Sequence, residues 1–283
     1  MRFVKAHGAG NDFVLLPDLD ARLRLSAELV TALCDRHRGI GGDGVIRIAP
    51  PRPGVDADVF MDYWNADGSV AEMCGNGVRC VAKYVVDRGI VAAGDVRVDS
   101  RAGVKVVSVT ERDAAGRVQA VRVDMGAPVP GDVRRRLDVD GRSVEVTTLS
   151  MGNPHAVLLV DDVATAPVAE LGPRIERHAA FPDRTNVEFI AVPAPDRVVG
   201  RIWERGVGET LASGTGGAAM AVAAHLLGRA GRRTTVALPG GDLHVDWSAT
   251  TLHVTGPAVE VAVGALDDSW LRTAGALETI GKA

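Results

Sequence analysis

Met73-Cys74-Gly75-Asn76-Gly77 opens one helical segment, and Ala212-Ser213-Gly214-Thr215-Gly216 opens another 139 positions later. Behind the first, Val78, Val81, Ala82, Val85 and Val86 recur at helical spacing. A helix is expected over Gly77 to Asp87, with Gly89 as its stop. Behind the second, Gly216 to Leu227 is apolar nearly all round, so that helix is expected to be enclosed by sheet. Other pairs keep nearly the same offset. Gly10-Asn11 and Gly152-Asn153 stand 142 apart, and Arg36-His37 and Arg177-His178 stand 141 apart. A near-constant offset of half the chain points to two copies of one architecture.

The rest of the chain fits sheets wrapped on those helices. Val96–Asp99, Val104–Val109, Val118–Val123, Leu243–Val245, Leu252–Val254 and Val259–Val263 are short Val- and Thr-rich runs of period two. They read as antiparallel or mixed strands. Shorter helices are expected over Ala27 to Asp35 and Val168 to His178. The fold class is therefore α/β with α+β character: two pseudo-symmetric domains, each a mixed or antiparallel sheet around a central helix. Residues 1–118 form the first, with 266–283 as a possible completion, and 119–265 the second.

Composition narrows the function. The chain has 283 residues, 46% of them apolar, with 32 Lys and Arg against 36 Asp and Glu, a net charge of −4. That is the balance of a globular protein and argues against a nucleic-acid or anionic-membrane partner. Three cysteines, Cys34, Cys74 and Cys80, make no disulfide framework, fit a reducing compartment and lack zinc spacing. The opening reaches Gly8 too early for a signal peptide, and Ala218–Leu227 is half a membrane span, so the expectation is cytoplasmic. His37, His178, His225, His244 and His253 match no metal-ligand spacing.

A Gly-x-Gly turn opening a helix gathers backbone N–H groups at the positive end of the helix dipole, a site for a carboxylate or phosphate. Two such sites, one per half, could face each other across an interdomain cleft. A thiol at a helix N-terminus is a candidate base or nucleophile, which singles out Cys74. Cys80 and Cys34 read as packing. Gly39-Ile40-Gly41-Gly42-Asp43-Gly44 matches a dinucleotide fingerprint, yet it follows a helix and precedes a strand, the reverse of what that site needs. It reads as a turn. Gly-x-Ser-x-Gly is absent around Ser213, which disfavours a serine hydrolase.

The stretch from Asn65 to Arg79, reading NADGSVAEMCGNGVR, closely resembles the active-site signature of diaminopimelate epimerases. So do His7–Phe13, Met151–His155, Asn186–Phe189 and Trp203–Thr210, in family order along the chain. The resemblance implies a cofactor-independent isomerase, needing no pyridoxal, that converts LL-2,6-diaminopimelate to the meso isomer. That reaction serves lysine and peptidoglycan precursor synthesis, and the family usually forms homodimers. It also implies an eight-stranded sheet in each half and a pair of cysteines that exchange base and acid roles. The first would be Cys74. Asn11, Asn65, Asn153, Asn186 and Arg205 would hold the substrate, with Arg205 on the distal carboxylate. Gly75-Asn76 and Gly214-Thr215 would cradle the reacting carboxylate. Glu204 and the Arg205 backbone would receive ammonium groups, and His155 and Glu204 would support proton transfer.

One position departs from the pattern. Where the family has its second cysteine, this chain has Ser213. A hydroxyl cannot match a thiol as an anionic base near neutral pH without an activating partner. The expected outcome is an epimerase impaired by that serine. The alternatives are a natural Cys/Ser variant acting as another amino-acid racemase or a dehydratase, and a non-catalytic amino-acid binder.

Overall fold

A computed structural model of the protein describes residues 1–92 and 94–274. The chain divides into two units. Unit 1 comprises Met1–Val123 and the segment that begins at Ala258, and unit 2 comprises Asp124–Pro257.

Unit 1 runs β1 (Arg2–Gly8), β2 (Asn11–Pro17), α1 (Ala27–Cys34), β3 (Gly44–Ala49), β4 (Val59–Asn65), α2 (Gly75–Asp87), β5 (Asp95–Asp99), β6 (Lys105–Arg112) and β7 (Val118–Gly126). The β1–β2, β3–β4, β5–β6 and β6–β7 pairs are antiparallel. The β2–β3 and β4–β5 pairs are parallel and are bridged by α1 and α2, since a parallel pair needs a crossover. Unit 2 runs β8 (Val129–Pro130), β9 (Arg135–Val139), β10 (Arg142–Ser150), β11 (Pro154–Leu159), α3 (Val168–Glu176), β12 (Asn186–Ala194), β13 (Arg197–Glu204), β14 (Gly208–Thr210), α4 (Gly214–Leu226), β15 (Arg233–Leu238), β16 (Gly241–Trp247) and β17 (Leu252–Pro257). From β10 to β17 the pairing repeats that of β1 to β7. Here β11–β12 and β13–β15 are the parallel pairs, crossed by α3 and α4, and the hairpin strand β14 is added after β13. The chain then returns to unit 1 with β18 (Val259–Ala265) and α5 (Asp268–Thr273).

The repeat read from the sequence is visible in these elements. Gly10 and Gly152, both at positive φ, turn the chain into the asparagines of the two matched pairs. Arg36-His37 and Arg177-His178 follow α1 and α3. In unit 1 the eight strands β18-β1-β2-β3-β4-β5-β6-β7 pair in that order. The sequence reading put Val259–Val263 in the second half. Antiparallel pairing of β18 with β1, Arg2 opposite Ala265 through His7 opposite Val259, assigns that strand to unit 1 instead. Leu271 is fully buried in the unit 1 cluster of Val14, Leu16, Leu29 and Leu33, with Leu266 and Trp270 packed against it. Of the possible completion over 266–283, residues 275–283 lie outside the described residues.

The two central helices start two residues earlier than the apolar periodicity suggests, because Cys74 and Ser213 are themselves the N-caps. Helix α4 is buried from Gly216 to Ala224, as its all-round apolar surface requires. Helix α2 is enclosed as well. It reads as amphipathic, yet every residue from Gly75 to Val86 is buried, including Asn76, Arg79 and Lys83. Its polar face is satisfied internally: Lys83 donates to the Asp87 carboxylate at 2.8 Å and to the Val118 carbonyl at 2.5 Å. The glycine-rich turn 39–44 closes the end of α1. The N–H groups of Ile40 and Gly41 bond the Leu33 carbonyl, and a Cβ at Gly39 would lie 2.0 Å from the Ala32 carbonyl oxygen. Packing against α1 explains Gly39, while Gly44 packs against Trp64 and Tyr63 of β4.

Candidate active site

Unit 1 gathers Cys74, Asn11 and Asn76 at the start of α2. Cys74 adopts extended angles (φ −138°, ψ 120°), and its Sγ accepts the Gly77 N–H at 3.4 Å. Asn11, at the start of β2, places Oδ1 3.7 Å from Sγ and accepts from Asn76 Nδ2 at 3.1 Å. Asn11 Nδ2 donates to Asp43 Oδ2 at 2.7 Å. Asp43 in turn receives Arg36 at 2.8 Å, and Arg36 also forks onto Asp12, which is paired with Lys5. Burial pushes the Asp12 carboxyl up, but the hydrogen bonds and charges of Arg36 and Lys5 outweigh it and hold the group far below the usual carboxylate range. Asn65 ends β4 in a turn, with Nδ2 on Ser69 Oγ at 3.0 Å, and the Ala66 N–H after it bonds the Asp43 carbonyl.

The other two cysteines are unsuited to proton transfer. Burial drives both the Cys34 and the Cys80 thiol up to about 12, while Cys74 is half-buried.

Unit 2 repeats the cap with different chemistry around it. Ser213 has nearly the same backbone angles (φ −136°, ψ 131°), and its Oγ accepts the Gly216 N–H at 3.3 Å. Asn153 donates to Thr215 Oγ1 at 3.4 Å. By the 139-residue offset Thr215 is the counterpart of Asn76, so the Asn153–Thr215 contact repeats Asn11–Asn76. His155 is fully buried, with Nδ1 2.6 Å from Glu188 Oε1 and Nε2 2.9 Å from Asn153 Oδ1. Glu188 Oε2 has no hydrogen-bond partner among the described residues, and burial raises its pKa against the opposing pull of His155. Glu204, at the end of β13, accepts from Thr210 Oγ1 at 2.6 Å and lies beside the Ser213 hydroxyl. Burial raises the Glu204 pKa as well, with the Thr210 and Ser213 hydroxyls opposing it. Asn186 is oriented by the main chain, donating one N–H to the Pro154 carbonyl and accepting the Arg205 N–H. The Arg205 side chain is exposed, with Nη1 on the Asp183 carbonyl at 3.1 Å.

Several participants escaped sequence reasoning. Glu188 sits between Val187 and Phe189 in a strand, and a carboxylate in an apolar strand is the signal that marks it. Asp43 lay in a turn read only for its glycines. Thr210 and Arg79 lay inside matched motifs without a role. The arrangement offers a half-buried thiol on one helix cap. On the equivalent cap it offers a hydroxyl beside a carboxyl with a raised pKa, as general acid–base work requires.

A family model described as diaminopimelate epimerase matches residues 3–130 and 147–263. The diaminopimelate epimerase of Heliobacterium modesticaldum is 47% identical over 283 residues, covering 94% of this chain and 99% of its own length. That of Pelotomaculum thermopropionicum is 45% identical, covering 93% and 98%. Among solved structures, a probable proline racemase from Agrobacterium radiobacter superposes with a TM-score of 0.76 at 18% identity, covering 99% of this chain and 98% of its own. A phenazine biosynthesis protein of the PhzF family from Bacillus anthracis superposes at 0.72 and 16%, covering 94% and 99%. At those identities the structural matches show a shared fold.

Proposed function

The chain belongs to the diaminopimelate epimerase family, and on that premise we propose how its residues carry the family reaction and how Ser213 limits it. The protein is an isomerase, and its reaction is the epimerisation of diaminopimelate. Cys74 and residue 213 are the two proton-transfer groups. Asn11, Asn65, Asn153, Asn186 and Arg205 hold the substrate, and the exposed Arg205 guanidinium suits a bidentate grip on the distal carboxylate. The helix openings Gly75-Asn76 and Gly214-Thr215 receive the reacting carboxylate, where the dipole favours negative charge. His155 and Glu204 support the transfer. The carbonyl of Arg205, together with Glu204, is the acceptor for ammonium. The product feeds lysine and peptidoglycan precursor synthesis, and the protein works in the cytoplasm as a homodimer without a cofactor. Among the described residues, no helix is long and apolar enough to cross a membrane.

The observation that carries this reading is the matched capping geometry. Two helices begin at nearly equal backbone angles, each with the residue-74 or residue-213 side chain on the N–H three positions on. One cap is a thiol and the other a hydroxyl. A hydroxyl lacks the anionic form that a thiol offers near neutral pH, so turnover is impaired. Calorimetry with diaminopimelate together with α-hydrogen exchange in deuterated water tests it. Binding with slow exchange is expected, and binding with no exchange at any enzyme concentration would make the chain an amino-acid binder.

A second reading rests on the contact between Ser213 and Glu204. A carboxyl with a raised pKa is the activating partner a serine needs, so the pair could serve a natural Cys/Ser variant with shifted chemistry, a racemase of another amino acid or a dehydratase. In that case Ser213→Ala removes activity and Ser213→Cys brings no gain.

A further inference from the structure

We propose that Arg79 is a positioning residue for Cys74: from inside unit 1 it orients the amide chain Asn76–Asn11 that ends on the Cys74 sulfur, and it brings a buried positive charge that favours the thiolate. The proposal rests on the reading of Cys74 as a proton-transfer group and deepens it.

Arg79 has no solvent exposure. It is the fifth residue of α2, and its side chain runs back toward the helix start, as long side chains on helices do. Nη1 reaches the Gly75 carbonyl at 3.4 Å and Nη2 reaches Asn76 Oδ1 at 2.7 Å. The β1 strand closes over it, since a Cβ at Gly8 would lie 2.9 Å from Nη2. A guanidinium only donates, so Asn76 must turn its carbonyl to Arg79 and its NH2 to Asn11. At the other end, the Asp43 carboxylate only accepts, so Asn11 must turn its NH2 to Asp43 and its carbonyl to Asn76 and Cys74. With a donor at one end and an acceptor at the other, neither amide can flip without losing a bond at both of its ends. The sulfur is thereby provided for in both protonation states. As a thiol it donates to Asn11 Oδ1, and as a thiolate it accepts from Gly77 N–H under the Arg79 charge. A group that alternately takes and gives a proton needs both.

The other half of the chain separates this role from architecture. The residue 139 positions after Arg79 is Ala218, fully buried in α4, and the titratable groups around the Ser213 cap are Glu204, Glu188 and His155. Among the described residues the same fold is built there without a buried Arg or Lys. The other charged and titratable groups around the relay are Lys5 and Asp12 from β1 and β2, Arg36 and Asp43 from the segment after α1, and Cys80 on α2. Glu260 of β18 is engaged by Arg88. Arg36 and Lys5 already offset Asp12 and Asp43, which leaves Arg79 as the cation bound directly to the relay.

The test compares Arg79→Met and Arg79→Lys in the full chain. The rate of iodoacetamide alkylation is followed against pH, with Cys74→Ser as the blank, because Cys34 and Cys80 stay protonated to about 12. Arg79→Met removes charge and fork together. Its alkylation midpoint should rise by about one pH unit or more, and α-hydrogen exchange should fall at least about tenfold. Arg79→Lys keeps the charge and loses the fork. Its midpoint should stay within about 0.3 unit while exchange falls several-fold. A folded Arg79→Met protein with an unmoved midpoint overturns the proposal. If that variant does not fold, Arg79→Lys decides, and unchanged exchange overturns it. Alkylation needs no substrate. A shifted midpoint in a protein that exchanges no α-hydrogen would therefore support the positioning role and sink the reaction assigned above.

Discussion

Replacing Ser213 by Cys should raise epimerase turnover by about two to four orders of magnitude. The site accepts the change, because the backbone angles at Ser213 differ from those at Cys74 by only 2° in φ and 11° in ψ, and Cys74 caps α2 in that conformation. The gain comes from ionisation. A free thiol with pKa near 8.5 is roughly one-quarter thiolate at pH 8. A hydroxyl holds its proton far more tightly than a thiol, about as tightly as water, and is ionised many orders of magnitude less at that pH. That ratio is an upper limit, since the Glu204 carboxylate lies beside Ser213 and can take its proton during transfer. What remains is the contribution of one positioned acid–base group, 10²–10⁴-fold, or about 3–5 kcal/mol in the barrier. The assay is α-hydrogen exchange followed by NMR in deuterated buffer at pH 8, from each diaminopimelate isomer, with thermal unfolding as a control for folding. A folded Ser213→Cys protein whose exchange rate rises less than threefold would refute the two-thiol argument and favour the Ser213–Glu204 pair.

Three further outcomes follow from the same geometry. The Ser213 protein should exchange the α-hydrogen of one stereoisomer only, because a single thiol serves one face of the carbon, and Cys74→Ser should abolish it; equal exchange from both isomers contradicts this. Asp12→Asn should destabilise the protein at pH 7 by about 1–3 kcal/mol. The Asp12 pKa is depressed in the folded state, so its contribution is present above the ordinary value of 3.8 and is lost as pH falls below it. The gap between wild-type and variant melting temperatures should therefore close in acid, and a constant gap from pH 7 to pH 3 argues against the Arg36–Lys5 network as its source. Gly8→Ala should cost about 1–3 kcal/mol by overpacking, since the new Cβ would meet Arg79 Nη2 at 2.9 Å and the Asn76 carbonyl at 3.0 Å. A denaturation midpoint equal to wild type would show that the strand can move away.

The repeat and the two helix starts were legible in the sequence because they depend on local chemistry. Apolar spacing marks a helix face, and Cys-Gly-x-Gly or Ser-Gly-x-Gly before it marks a cap. The motifs also held the residues now clustered at those caps. Burial of the polar face of α2 was not legible. Asn76, Arg79 and Lys83 look like a solvent-facing stripe until the strands around them are in place. The return of Val259–Ala265 to pair with β1 was equally hidden, since that pairing joins the two ends of the chain.

By itself the sequence determined the family, the twofold plan, the two central helices and the serine where a second thiol is expected, while the structure made Cys74 and Ser213 the N-caps. The tertiary structure decided which groups these residues meet. Parallel pairing of β11 with β12, His155 opposite Asn186 and Val157 opposite Glu188, puts the Glu188 carboxylate on His155 across 33 residues of chain. Parallel pairing of β2 with β3 carries Asp43 to Asn11, and closure of β1 over α2 buries Arg79 against Asn76. Strand register and burial are properties of the assembled sheet. Shifting a strand by one residue reverses every side chain on it, so these contacts, and the charges they bring to each cap, exist only once the sheets have closed around their helices.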